Sequence, residues 1–154
     1  NMSSKTIEEI LNFKNIAVVG VSRNQKGFGF TAVQSLKNSG CNVYAVNKNS
    51  IAGDRDNLFP NLSAIPVKLD AIIITVPPTE TINVLNDAIS LGIKKVWLQP
   101  GSDSKEVKDF CETNNLQFVS GECIIMYLKN IGFIHRAHKW IHDKFEHRRA
   151  AIFK

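Results

Sequence analysis

Residues 16–30 read IAVVGVSRNQKGFGF, and this stretch decides the fold. Ile16 to Val19 is a short apolar run that stops at Gly20, the mark of a buried strand. A polar loop follows. From Phe28 to Ser39, Phe30, Val33 and Leu36 recur at helical spacing until Gly40 supplies a left-handed stop. A strand, a glycine-bearing loop and a helix in that order open a β–α unit. The helix brings its free N–H groups and the positive end of its dipole to the loop.

The alternation continues along the chain. Asn42 to Val46 reads as a second strand, and Leu58 to Ile65 as one helical turn between Pro60 and Pro66. Ala71 to Val76 is so uniformly apolar and β-branched that it is expected to be a strand buried on both faces. Pro77 and Pro78 break that run. Thr79 is then expected to cap a helix with Ile82, Leu85 and Ile89 on one face, closed by Gly92. Lys95 to Leu98 is the fourth strand, and Ser102 or Asp103 caps a helix carrying Val107, Phe110 and Cys111. Leu116 to Val119 is the fifth strand, and a helix around Ile7, Ile10 and Leu11 precedes the first. The expectation is an α/β, Rossmann-like, doubly wound parallel sheet of about five strands with flanking helices. An amphipathic helix at the C-terminus is expected to be added to it.

Composition agrees with a globular domain. A chain of 154 residues fits one domain able to bury roughly 70% of its unfolded surface. No apolar run approaches the roughly 20 residues of a membrane-spanning helix. Residues 1–10 carry no apolar signal core, and Asn1 ahead of Met2 reads as a cloning remnant. Cys41, Cys111 and Cys123 form no CxxC pair, so reduced thiols in the cytoplasm are expected, with Cys41 and Cys111 in the core. Cys123 follows the fifth strand and reads first as a core thiol rather than a reactive one.

Ligands of a doubly wound sheet bind beyond the carboxyl ends of the strands, which directs attention to four loops. The first runs from Gly20 through Phe28 to Gly29. Its glycines, Gly20, Gly27 and Gly29, allow close approach of backbone to phosphate, and Ser22, Arg23, Asn24, Gln25 and Lys26 add polar and cationic groups. The spacing is neither GxGxxG nor GxxxxGK[ST]. The second loop offers Asn47 and Lys48 where an NAD site carries an acid for the ribose, and a lysine there suits a ribose phosphate, as in coenzyme A (CoA) or NADP. Thr75, Val76, Pro77 and Pro78 form the third, either a helix start or a rigid apolar ledge for an adenine or a pantetheine arm. The fourth is Gln99 to Ser102.

The ordered set GVSRNQKGFG, AVNKNS, LFPNLSAIP, AIIITVPP, KVWLQPGS and SGECIIMYL resembles the CoA-binding domain family, related to the N-terminal domain of the succinyl-CoA synthetase α subunit. The resemblance covers about residues 10–128. It implies CoA or acyl-CoA held by Ser22, Arg23, Asn24, Gln25, Lys48, Val76, Pro77 and Pro78. The chain departs from the pattern in two places: Arg23 and Asn24 replace loop glycines of the synthetase, and Tyr127 stands where many small members carry an acid.

Residues 1–128 hold as many acidic as basic residues, so the net charge of +5 lies wholly in residues 129–154. There Phe133, Ile134, Ala137, Trp140, Ile141 and Phe145 share a helical face, which favours packing on the body or on a dimer mate over a nucleic-acid arm. His138 and His142 lack a third ligand, and no metal site is expected. No catalytic constellation is legible, so the expected function is stand-alone binding of CoA or an acyl-CoA rather than catalysis. An NADP-dependent enzyme or redox sensor using the same cleft is the alternative. Substitution of Gly27 or Gly29 is expected to harm binding more than folding.

Overall fold

A computed structural model describes residues 7, 9, 10, 12–51 and 57–128. The calls on Leu11 and on residues 129–154, the amphipathic helix and its two histidines among them, lie outside the described residues. The elements run β1 (Asn15–Val19), α1 (Phe28–Asn38), β2 (Asn42–Val46), β3 (Leu58–Phe59), β4 (Ala71–Ile74), α2 (Pro78–Ser90), β5 (Lys95–Leu98), α3 (Lys105–Thr113) and β6 (Gln117–Ser120). The strands form one parallel sheet of order β3-β2-β1-β4-β5-β6. The chain winds outward from β1 through β2 to β3, then returns to β4 on the other side of β1. Strand order therefore reverses at β1 and β4, where a crevice opens beyond their carboxyl ends.

Alternation along the strands separates two apolar layers. Ile16, Val18, Ala71, Ile73 and Trp97 pack on one face with Ala32, Val33 and Leu36 of α1 and with Ile7, Ile10 and Ile124. Ala17, Val19, Ile72, Ile74 and Leu98 pack on the other with Leu85 and Ala88 of α2 and Val107 and Cys111 of α3. Both layers draw on β4, whose four residues are fully buried, as its unbroken AIII predicts. Among the described residues, no helix is long and apolar enough to cross a membrane.

The sheet has six strands, not five, because Leu58 and Phe59 pair with Ala45 and Val46 instead of starting a helical turn. Asn57 enters in a left-handed conformation and Pro60, lacking an N–H, ends the ladder, so only two residues fit. Helical turning is confined to Leu62–Ala64, capped by the Asn61 side chain, which accepts from the Ala64 amide at 2.9 Å.

Two cap expectations are corrected. Pro77 is the N-cap of α2 and Pro78 its first residue, so Thr79 lies inside the helix; a proline there has no N–H to leave unsatisfied and a φ already set. Ser104 caps α3, accepting from the Val107 amide at 3.1 Å, while Ser102 is buried and its carbonyl accepts from Thr81 Oγ1. The buried face of α2 is Thr81, Leu85 and Ala88, and Ile89 is 37% exposed. Tyr127 packs edge-on against Trp97 with ring centroids 5.9 Å apart.

Candidate functional site

A cleft of about 550 Å³ lies at the reversal of strand order, within the size range of small-molecule sites. Val19, Gly20 and Ser22 come from β1 and its loop, and Val46, Asn47, Lys48 and Asn49 from β2 and its loop. Pro60, Asn61 and Leu62 close one side, while Val76 and the α2 residues Glu80, Asn83, Val84 and Asp87 close the other.

Gly20 is forced by its surroundings. Its φ is +109°, and an added Cβ would stand 2.3 Å from Thr75 Oγ1. That hydroxyl donates to Val19 O at 2.7 Å, so Thr75 ties β4 to β1. The Gly20 and Val21 amides both donate to Val46 O, joining the first two loops. Asn47 completes the join by donating to Val21 O at 2.8 Å and accepting from the Asn49 amide at 2.8 Å. Its amide group is thereby committed to holding the loops, although it lines the cleft.

The rest of the first loop stands outside the cleft wall. Ser22 Oγ donates to Asn24 Oδ1, which also accepts from the Lys26 amide, and Gln25 is left-handed. Arg23, Asn24, Gln25, Lys26, Gly27 and Phe28 are exposed. Gly27 is the N-cap of α1; among the described residues no side chain caps this helix and no acid lies in its first turn. Its free N–H groups and dipole end thus remain available to an anion. Gly29 serves another purpose, since an added Cβ there would lie 2.6 Å from Gly20 O. Pro77 and Pro78 shape the start of α2 and do not line the cleft.

The Lys48 side chain is 71% exposed, and its Nζ donates to Glu80 Oε1 at 2.9 Å. The loops themselves bring no acid, as read from the sequence, but α2 brings two. Glu80, Asn83, Val84 and Asp87 have the i, i+3, i+4, i+7 spacing of one helical face. That periodicity is visible in the sequence, on the helix face next to the apolar one. Pro60, Asn61 and Leu62 were missed with the sixth strand.

The groups at and beside the cleft suit a phosphorylated ligand with an apolar part: the uncapped α1 N-terminus, Arg23, Lys26 and Lys48 can receive anions, and the valines, Pro60 and Leu62 offer apolar contact. Among the described residues, no group of three or more His, Cys, Asp or Glu gathers where a metal would be held.

The thiols differ sharply. Burial and the neighbouring Glu112 push Cys111 up to about 11, and burial also raises Cys41 against a bond from Ser39. Partial burial raises Cys123 too, but hydrogen bonds from the Met126 backbone, the Gln99 side chain and the Ile125 backbone outweigh it and leave this thiol below its ordinary value. Cys111 is buried as expected, whereas Cys41 and Cys123 are half-buried rather than core residues, Cys41 lying at the margin of the apolar layer. Iodoacetamide at pH 8 should therefore modify Cys123 first and Cys111 last, as read by peptide mass spectrometry. Cys111 reacting first would contradict the assignment.

Residues 14–129 match the CoA binding domain family. Over 95 residues the chain is 32% identical to an ADP-forming acetate–CoA ligase II of Archaeoglobus fulgidus, covering 60% of this chain and 14% of the ligase. A conserved hypothetical protein from Pyrococcus furiosus has 32% identity and a TM-score of 0.66, over 75% of this chain and 99% of its own. A hypothetical protein from Pyrococcus horikoshii OT3 has 27% identity and a TM-score of 0.73, over 83% and 91%.

Proposed function

The chain belongs to the CoA binding domain family, and from that premise we propose that it binds CoA or an acyl-CoA in the cleft at the β1–β4 reversal, as a binding module rather than a catalyst. The observation that carries the reading is Lys48 in a cleft partly walled by valines, Pro60 and Leu62, with the uncapped N-terminus of α1 at the far end of the same loop that supplies Gly20 and Ser22. The first-turn N–H groups of α1 hold the pyrophosphate, aided by Ser22, Arg23 and Lys26. Lys48 holds the ribose phosphate. Val46, Pro60, Leu62 and Val84 flank the base, and Val76 lies along the path of the pantetheine arm. Gly20, Asn47 and Thr75 position these groups by holding the loops together. Bound CoA would supply a thiol or a thioester as the reactive group.

Calorimetric titration with CoA and with dephospho-CoA, which lacks the ribose phosphate, tests the reading. Lys48→Ala should weaken CoA by roughly tenfold, since a charge-assisted bond at an exposed lysine contributes about 1.4 kcal/mol. Dephospho-CoA should bind both proteins alike. Absence of CoA binding to the wild-type protein would refute the site, and equal losses for both ligands would refute the role of Lys48.

A further inference from the structure

Glu80 occupies a place where a ligand anion would be well received. It stands in the first turn of α2, where the helix dipole favours a carboxylate, and at the same time it accepts from Lys48 at 2.9 Å. The pair joins the loop after β2 to α2, two parts of the cleft wall that lie 32 residues apart. Asp87 lines the same wall two turns further on. Among the described residues that line the cleft, the charged groups are therefore one lysine and two carboxylates. Such a balance is unfavourable to a polyanion unless one acid gives way.

We infer that Glu80 is an internal counter-ion which a ligand's ribose phosphate must displace from Lys48, so that Glu80 tempers the preference that Lys48 gives the cleft for ribose-phosphorylated ligands. The inference rests on the CoA reading of the site. A ligand carrying that phosphate replaces one ion pair with another and so recovers the cost of breaking the first. A ligand lacking it leaves the Lys48–Glu80 pair closed and gains nothing from the lysine. Because the pair is largely exposed, the barrier it sets is modest.

The opposite role is also chemically sensible, since a carboxylate can accept from ribose hydroxyls. The two roles predict opposite signs. Titration of the full chain with CoA and dephospho-CoA should show Glu80→Gln tightening CoA by roughly two- to fivefold, the range an exposed ion pair can withhold. Dephospho-CoA should be unchanged. In a Lys48→Ala background the Glu80→Gln substitution should then have no effect on CoA, because its action runs through the lysine. Weaker CoA binding by Glu80→Gln would make Glu80 a ligand acceptor and overturn the proposal, as would an equal gain for both ligands. A wild-type protein that binds CoA and a variant that binds it with the same affinity would overturn this inference alone. A wild-type protein that binds no CoA would take the site reading down with it.

Discussion

CoA at about 100 times its dissociation constant should raise the melting temperature by roughly 5–11 °C, with NADP giving less and NAD least. A ligand that binds only the folded state at that excess contributes about 2.7 kcal/mol, and each kcal/mol shifts a domain of this size by roughly 2–4 °C. The ranking follows from groups already placed. NAD needs an acceptor for its ribose hydroxyls at the end of β2, where this chain has Asn47, and both ends of that amide are engaged, by Val21 O and the Asn49 N–H. NADP brings a ribose phosphate for Lys48, but the first loop lacks the GxGxxG spacing that fits a dinucleotide against its helix. CoA needs a lysine, an apolar slot and a phosphate-binding helix end; the cleft offers the first two, and the proposed third is the uncapped α1 N-terminus beyond its wall. Differential scanning fluorimetry with the three ligands at matched ionic strength measures the order. A shift with NADP and none with CoA would reverse the assignment.

The parallel sheet was legible because its central strands are unbroken β-branched runs, whose burial on two faces leaves no other reading of AIII at residues 71–74. The edge strand Leu58–Phe59 was not, since two residues carry no period and only pairing with Ala45 and Val46 defines them. Of the residues singled out in the loops, Gly20, Ser22, Asn47, Lys48 and Val76 line the cleft. Asn47 does so while clamping two loops, a role set by partners distant in sequence. The α2 wall was hidden for a different reason. Its sequence was read only for the residues that pack on the sheet, whereas Glu80, Asn83 and Asp87 act from the next face round. A helix beside a crevice has two informative faces, and apolar periodicity reports only one.

Gly29→Val should destabilise the protein by about 3 kcal/mol or more, lowering its melting temperature by roughly 6–12 °C, whereas Gly27→Ala should leave it folded and weaken CoA. The sequence suggested the same role for both glycines, namely backbone approach to phosphate, with binding harmed before folding. The structure separates them. Gly29 lies where α1 passes against the end of β1, and an added Cβ would sit 2.6 Å from Gly20 O and 3.0 Å from Val21 Cα. Those are backbone atoms, and Gly20 is itself held by the hydrogen bond its amide donates to Val46 O and by contact with Thr75. Neither can retreat without moving a central strand, so the helix must lift and expose Ala32, Val33 and Leu36. Gly27 has nothing within 4 Å of an added Cβ. Its difficulty is its backbone, at φ 88° and ψ 179°, a region open essentially to glycine alone. Alanine there carries a strain of about 1–3 kcal/mol, which the exposed loop can relieve by shifting the first turn of α1. That shift moves the N–H groups assigned to the pyrophosphate. Urea unfolding with an unchanged slope would measure the stability of each variant, and titration with CoA would measure the binding of whichever stays folded. A Gly29→Val protein that melts like wild type would show that the helix–strand contact has room after all. A folded Gly27→Ala protein with full CoA affinity would remove the α1 N-terminus from the site.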